Sequence, residues 1–195
     1  VPSYVTINTI EELETNREHF KDEIIGIDIG ASLMNLTEQA VDDYGLHLKL
    51  MPSSGPTMTA FLQKSVEHNE WIVVTGWMPH WMFSRYGLKF LEDKKGIYGE
   101  AEHIEAIATK GFSETHPYVA EFFRNFKFTG EQLSELMDIM EDYPMRELEG
   151  AKVWLKKHPE VIDLFLPSSA NQLTLQNEYE TDRENNLFVA GTGNR

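Results

Sequence analysis

Three of the four tryptophans of the chain, Trp71, Trp77 and Trp81, lie within eleven residues of one another. They belong to the segment WIVVTGWMPHWMF, residues 71–83, whose first part is free of charge and rich in β-branched side chains. This pattern predicts a buried strand over Trp71–Thr75, followed by a loop that begins at Gly76. Aromatic rings just past the end of a core strand are suited to hold a cationic ligand.

A quaternary ammonium ion has no N–H group to donate, so a protein holds it through aromatic faces and apolar contact. Each favourable face contributes about 0.5–2 kcal/mol. Trp77, the first residue after Gly76, is the candidate contact. The alternative is that Trp77 packs in the core, as we expect for Trp81 and Phe83.

The same loop carries His80, between Pro79 and Trp81. Three roles are open for its imidazole: it donates to a ligand carboxylate, it holds the loop in place, or it titrates near neutral pH. No two histidines are spaced as H-x-x-x-H, so the sequence predicts no metal site.

A second candidate site is the turn Gly30-Ala31-Ser32, between a predicted strand, Ile24–Ile29, and a predicted helix that begins at Ser32. Free backbone N–H groups and the positive end of the helix dipole favour an anion there. A carboxylate held by the N–H groups of Ser32 and Leu33 is the ligand we consider, because one glycine makes neither a dinucleotide fingerprint nor a phosphate loop. The alternative is that Ser32 is simply the N-cap residue.

Strands and helices alternate in the first part of the chain. The predicted strands are Ile24–Ile29, His47–Met51 and Trp71–Thr75, and the helices between them are Ser32–Tyr44 and Thr57–His68. This βαβ pattern predicts an α/β fold with a mainly parallel sheet flanked by helices.

The later part of the chain changes in character. Short strands are predicted at Leu88–Leu91 and Ile104–Ala108, and then three helices at Pro117–Phe126, Glu131–Glu141 and Arg146–Lys157. We therefore expect a ligand-binding α/β lobe over residues 1–91. Residues 92–167 would form a return segment and the helices of a second, incomplete lobe, and residues 168–195 a polar tail.

Composition excludes several classes of function. The formal net charge of −15 argues against nucleic acid and against an anionic membrane surface as partners. The absence of cysteine from the sequence excludes disulfides, thiolate catalysis and cysteine zinc sites. There is no G-x-S-x-G motif and no evident pairing of a nucleophile with a base, so we expect neither a cofactor nor an enzymatic activity.

Three blocks resemble the glycine betaine-binding proteins of osmoprotectant ABC importers: IIGIDIGASLM, WIVVTGWMPHWMFSRYGLKFLEDKKGIYGEAEHI and HPYVAEFFRNFKFTGEQL. The resemblance covers roughly residues 1–166, and GWMPHWMF is its most specific part. It implies a fold of the periplasmic-binding-protein type, with the ligand trapped between two lobes and aromatic rings around its trimethylammonium group. Trp77 would be one of these aromatic rings. The N–H groups of the turn Ala31-Ser32-Leu33 would bind the carboxylate, with His80 as an orienting donor.

This sequence departs from the family at the turn, where Ala31 stands in place of an aromatic residue found in some members and Ile29 in place of a frequent proline. Members usually also have a first-lobe segment ahead of the part that resembles Val1. We expect a missing segment or a second chain to complete the pocket.

The resemblance implies an extracytoplasmic solute-binding protein for glycine betaine or a related quaternary ammonium solute, working with the membrane permease of an ABC importer. Two alternatives stay open. One is an α/β enzyme that acts on a small zwitterion, with His80 or Asp28 as its base. The other is an isolated lobe without binding activity.

Overall fold

The computed structural model describes residues 1–100 and 104–167, which divide into two compact units. The first unit contains residues 1–100 and 129–151, and the second contains residues 104–128 and 152–167. Residues 129–151, assigned above to the second lobe, thus group with the first unit, and the lobe boundaries stay a prediction. The predicted polar tail, residues 168–195, lies outside the described residues.

The described helices are, in chain order, α1 Glu12–Thr15, a 3₁₀ helix Arg17–Phe20, α2 Ser32–Tyr44, α3 Gly55–Glu67, α4 Trp81–Arg85, α5 Phe112–Thr115, α6 Pro117–Asn125, α7 Gly130–Glu141, α8 Glu147–Lys157 and α9 Pro159–Phe165. Within the described ranges, none of these helices is long and apolar enough to cross a membrane.

A small parallel sheet lies at the centre of the first unit. Strand β1, Glu23–Ile25, pairs in parallel with β2, Lys49–Met51, and Ile24 lies opposite Leu50. A third segment joins on the other side of β1 through a parallel bridge between Ile25 and Val74. Helices α2 and α3 make the two crossovers, so the predicted βαβ order is confirmed.

The regular strands are shorter than the sequence predicts. The predicted strand Ile24–Ile29 ends at Ile25, and Trp71–Thr75 contributes a single bridge instead of a full strand. The apolar run continues beyond the hydrogen-bonded ladder because Ile27 is buried without a strand partner, as deeply as Ile25, whereas Ile29 at the end of the run is 71% exposed. A buried apolar run therefore indicates the sheet but overestimates the length of its strands.

Each face of the sheet is covered by its own apolar cluster. Ile24 and Ile25 are neighbours in β1 and point to opposite faces, as successive residues of a strand do. Ile24 joins Val73 and the residues of the N-terminal segment, among them Val5 and Phe20. Ile25 belongs to the second cluster, whose other buried members are Ile27, Met34, Met58, Leu62, Ile72 and Met82.

The second unit has an aromatic core. Phe165 of α9 packs against Phe122 of α6 and against Phe126, the C-cap residue of that helix. Phe128 contacts both Phe165 and the buried Trp154. The predicted strand at Ile104–Ala108 is wrong. Its side chains are exposed and the segment pairs with no other described strand, so it has neither the burial nor the hydrogen-bonding partner that a strand needs.

Candidate functional site

The turn Gly30-Ala31-Ser32 and the tryptophan loop (residues 76–81) leave the sheet at the same edge. The N–H of Ile25 donates to the carbonyl of Val73 at 3.0 Å, and the N–H of Thr75 donates to the carbonyl of Ile25 at 2.9 Å. On the other side of β1, the N–H of Gly26 donates to the carbonyl of Met51 at 2.9 Å. All three segments run in parallel, so the chain that follows each of them emerges at the carboxyl edge, where α/β folds bind ligands.

The structure places Ala31, and not Ser32, at the N-cap of α2. Ala31 has extended backbone angles, φ −72° and ψ 140°, and Ser32 is the first helical residue. The N-cap alternative for Ser32 is therefore wrong. An alanine side chain cannot accept a hydrogen bond, and α2 has no capping side chain. The N–H groups of Ser32 and Leu33 at the start of the helix are thus not taken up by a cap, as a carboxylate site requires.

Hydrogen bonds connect the middle and the C-terminal end of α2 to the loop that follows residue 92. The Tyr44 hydroxyl donates to Asp93 Oδ1 at 2.6 Å, the Tyr98 N–H donates to Asp93 Oδ2 at 2.9 Å, and the Tyr98 hydroxyl donates to Thr37 Oγ1 at 3.2 Å. Burial, together with the bond to Asp93, raises the pKa of Tyr44 to about 12, so its hydroxyl stays protonated as a donor. These bonds hold the helix whose N-terminus forms the turn.

Trp77 is the most exposed ring of the tryptophan loop. Its side chain is 40% exposed, and it packs edge-on against the His80 ring, with 4.8 Å between the ring centroids and an interplanar angle of 83°. An edge-on contact of this kind leaves part of the indole surface free for a ligand. The alternative that Trp77 is a core residue does not agree with this exposure.

The other aromatic residues of the segment pack within the protein. Trp71 lies against His19 and Phe20, at centroid distances of 4.8 and 5.3 Å. Phe83 stacks on Phe90 at 4.7 Å. The guanidinium of Arg85 lies 5.1 Å from the centroid of the half-buried Trp81 ring, so this ring already holds a cation from the protein itself.

His80 holds the loop in place. It is the N-cap residue of α4, where its Nδ1 accepts from the N–H of Met82 at 3.2 Å, and its own N–H donates to Ser134 Oγ at 3.1 Å. Burial lowers the pKa of His80, although the carboxylate of Glu141 opposes the shift. The neutral ring that accepts at Nδ1 carries its proton on Nε2.

Helix α7 also contributes to the site, although the sequence did not indicate this role. Its residues Gly130 and Ser134 contact the tryptophan loop, although they follow it by some fifty residues. The only local signal was the entry to the helix, where Thr129 and Gln132 form a capping box. A capping box predicts where a helix begins but not what the helix packs against. Among the described residues, no three histidine, aspartate or glutamate side chains are grouped to hold a metal ion.

A parallel sheet with an aromatic loop and an uncapped helix N-terminus at its carboxyl edge is typical of α/β proteins that bind ligands at that edge. The family model for the substrate-binding domain of ABC-type glycine betaine transport systems, OpuAC, matches residues 1–157. The chain belongs to this family, and its fold is that of the periplasmic-binding-protein type, as predicted.

Individual proteins similar to this chain support the family assignment. The chain is 44% identical, over 142 residues, to the glycine betaine/carnitine transport binding protein GbuC of Listeria monocytogenes, a match that covers 71% of this chain and 47% of GbuC. It is 37% identical to the glycine betaine/L-proline-binding protein ProX of Borrelia burgdorferi, with a TM-score of 0.63, over 86% of this chain and 64% of that one. For lactococcal OpuAC in its closed form with glycine betaine, the identity is 34% and the TM-score 0.62, over 86% of this chain and 65% of OpuAC. The match thus spans about half the length of GbuC.

Proposed function

We propose that this chain forms the ligand-binding part of an extracytoplasmic solute-binding protein that captures glycine betaine or a related quaternary ammonium solute for an ABC importer. The observation that carries the proposal is the pairing of Ile25 with Val74, which brings an uncapped helix N-terminus and an exposed tryptophan to one sheet edge. A betaine has an anionic and a cationic end, and each of these features suits one of them.

The roles follow from the chemistry of each group. Trp77 contacts the trimethylammonium group. The turn Ala31-Ser32-Leu33 holds the carboxylate through the N–H groups of Ser32 and Leu33, and Nε2 of His80 donates to the same carboxylate. Binding without chemical conversion is the activity we propose, because none of these groups forms a nucleophile–base pair.

A single tryptophan ring cannot enclose a trimethylammonium group. Ala31 provides no ring in the turn, and the matched relatives are longer than this chain. We therefore propose that further aromatic walls come from a segment or a second chain outside this sequence, and that the complete protein works with a membrane permease. With one aromatic ring and two N–H donors for the ligand, we expect this chain alone to bind glycine betaine with a Kd of about 1 mM. This corresponds to a binding free energy of about 4 kcal/mol in magnitude.

Isothermal titration calorimetry with glycine betaine, proline betaine, carnitine and choline tests the proposal. We expect the betaines and carnitine to bind more tightly than choline, because choline has no carboxylate for the turn. NMR spectra of glycine betaine after prolonged incubation should show no product. Absence of binding by all four ligands would contradict capture by this chain, and conversion of the ligand would favour an enzyme.

A further inference from the structure

We infer that Ser134, on α7, is a positioning residue for the ligand site, and that it acts through the backbone N–H of His80. The inference rests on the function proposed above, because it concerns the loop that carries Trp77. Ser134 itself is 1% exposed and so does not contact a ligand.

The hydrogen bonds of Ser134 have a defined direction. Its hydroxyl donates to the carbonyl of Gly130, one turn earlier in α7, at 2.7 Å. With its hydrogen used inside the helix, the oxygen is left as an acceptor, and it accepts the N–H of His80 at 3.1 Å. A half-buried backbone N–H in a loop has no regular partner, so this side chain satisfies a donor that the loop itself leaves free.

Two further contacts lie on the same face of α7. Met78 packs so closely on Gly130 that a Cβ atom there would lie 2.8 Å from the Met78 sulfur. Arg85 Nε donates to Asp138 Oδ1 at 2.7 Å. Gly130, Ser134 and Asp138 are spaced four residues apart, which places them in one stripe along the helix. This α7 stripe thus contacts the tryptophan loop and α4 at three successive turns.

The position of Trp77 depends on this attachment. Its ring packs edge-on against the His80 ring, and the backbone of His80 is held by Ser134. A loop that is ordered before the ligand arrives does not have to be ordered on binding, so its affinity is higher. Loss of the Ser134 acceptor should release the loop and lower the affinity without removing any group that touches the ligand.

The test compares Ser134→Ala with a matched control, Thr59→Val. Thr59 is also buried, and its hydroxyl bonds to carbonyls of its own helix, Gly55 at 3.2 Å and Pro56 at 3.0 Å, but it has no bond to the loop. Thermal unfolding first establishes that both variants are folded. Three quantities are then measured: the amide hydrogen exchange rate of His80 and the indole NMR signal of Trp77, both without ligand, and the affinity for glycine betaine.

We expect Ser134→Ala to accelerate His80 exchange at least about tenfold, to shift the Trp77 indole signal, and to weaken glycine betaine binding about tenfold, which corresponds to about 1.4 kcal/mol. Thr59→Val should change none of these appreciably. Unchanged exchange and an unchanged Trp77 signal in Ser134→Ala would overturn the inference, as would an equal loss of affinity in both variants.

The measurements distinguish a failure of the proposed function from a failure of the inference about Ser134. If the wild-type chain does not bind glycine betaine, the proposed function fails, and the exchange and indole measurements still decide the role of Ser134. If Ser134→Ala does not fold, Ser134→Cys replaces it, because a thiol is a similar shape but a weaker acceptor. His80 exchange in Ser134→Cys should then be faster than in the wild type, and an unchanged rate would overturn the inference.

Discussion

Ile25 and Val74 face each other as a parallel bridge pair, with hydrogen bonds from Ile25 N–H to Val73 and from Thr75 N–H to Ile25. This single pairing sets the register between the segment that leads to the turn and the segment that leads to Trp77. The two ends of the proposed ligand site are therefore aligned by backbone hydrogen bonds in the core.

The aromatic contact is tested by Trp77→Leu, which keeps apolar volume but removes the ring. We expect the affinity for glycine betaine to fall about tenfold, because one cation–π contact contributes about 0.5–2 kcal/mol. Calorimetry measures the change. The analogue 3,3-dimethylbutanoate keeps the shape and the carboxylate but has a neutral tert-butyl group in place of the trimethylammonium cation, and its binding should hardly respond to the substitution.

Trp71→Leu is the matched control for the same change. Trp71 packs against His19 and Phe20 in the protein, so this variant should lower the unfolding temperature and leave the ligand affinity of the folded protein unchanged. Equal loss of affinity in the Trp71 and Trp77 variants would argue against a specific contact by Trp77.

The carboxylate contact is tested by Ser32→Pro. Ser32 is the first helical residue of α2, a position where proline is tolerated because its N–H has no partner within the helix. Ala31 before it is already extended, as the residue before proline must be. The substitution thus removes one N–H and leaves the helix intact. We expect glycine betaine to bind at least about tenfold more weakly, since hydrogen bonds to charged groups contribute about 1.5–3 kcal/mol.

Two comparisons isolate that N–H group. Choline has no carboxylate, so its affinity should be the same for Ser32→Pro and the wild type. Ser32→Ala removes the hydroxyl and retains the N–H, and it should bind glycine betaine normally. A loss in Ser32→Ala as large as that in Ser32→Pro would assign the contact to the side chain instead.

His80 should make stability depend on pH. Burial lowers its pKa below the ordinary value near 6.5, so the unfolded chain takes up a proton before the folded one does as the pH falls. The free energy of unfolding should therefore be highest above about pH 6.5 and should decrease as the pH falls from there through the folded-state pKa. Urea unfolding between pH 5 and pH 8 measures it.

His80→Asn removes the titrating ring and keeps a side chain that caps helices well, and His80→Ala removes the cap of α4 as well. In both variants, we expect the free energy of unfolding to lose the part of its pH dependence that His80 causes between pH 5 and pH 8. Only His80→Ala should lose about 1 kcal/mol of stability at pH 8. A pH dependence equal to that of the wild type in His80→Asn would assign the titration to another group.

The close contact between Met78 and Gly130 predicts a rescue. Gly130→Ala places a methyl group against the Met78 side chain and should weaken glycine betaine binding severalfold by displacing the loop. The double variant Gly130→Ala/Met78→Ala removes the clash, so it should bind more tightly than Gly130→Ala alone. Strictly additive effects in this double-mutant cycle would show that the two residues are not coupled.

Local signals in the sequence were sufficient for several elements. The helix predicted at Ser32–Tyr44 has those bounds in the structure, and Gly45 ends it in the left-handed conformation, φ 65°. The family resemblance also rested on contiguous residues, and the match over residues 1–157 confirms it. By contrast, the predicted strands at Leu88–Leu91 and Ile104–Ala108 are not regular strands, because strand formation depends on a neighbour that no local pattern specifies.

The sequence by itself determined the order of strands and helices, the bounds of α2 and the family, because each depends on residues a few positions apart. It also identified Trp77, His80 and the turn at Ala31, Ser32 and Leu33 as candidates. Only the tertiary structure decided that Ala31 is the N-cap, that Trp77 is exposed while Trp71 packs, and that Ser134 holds His80. These depend on backbone geometry and on contacts across 54 residues, which leave no periodicity in the sequence.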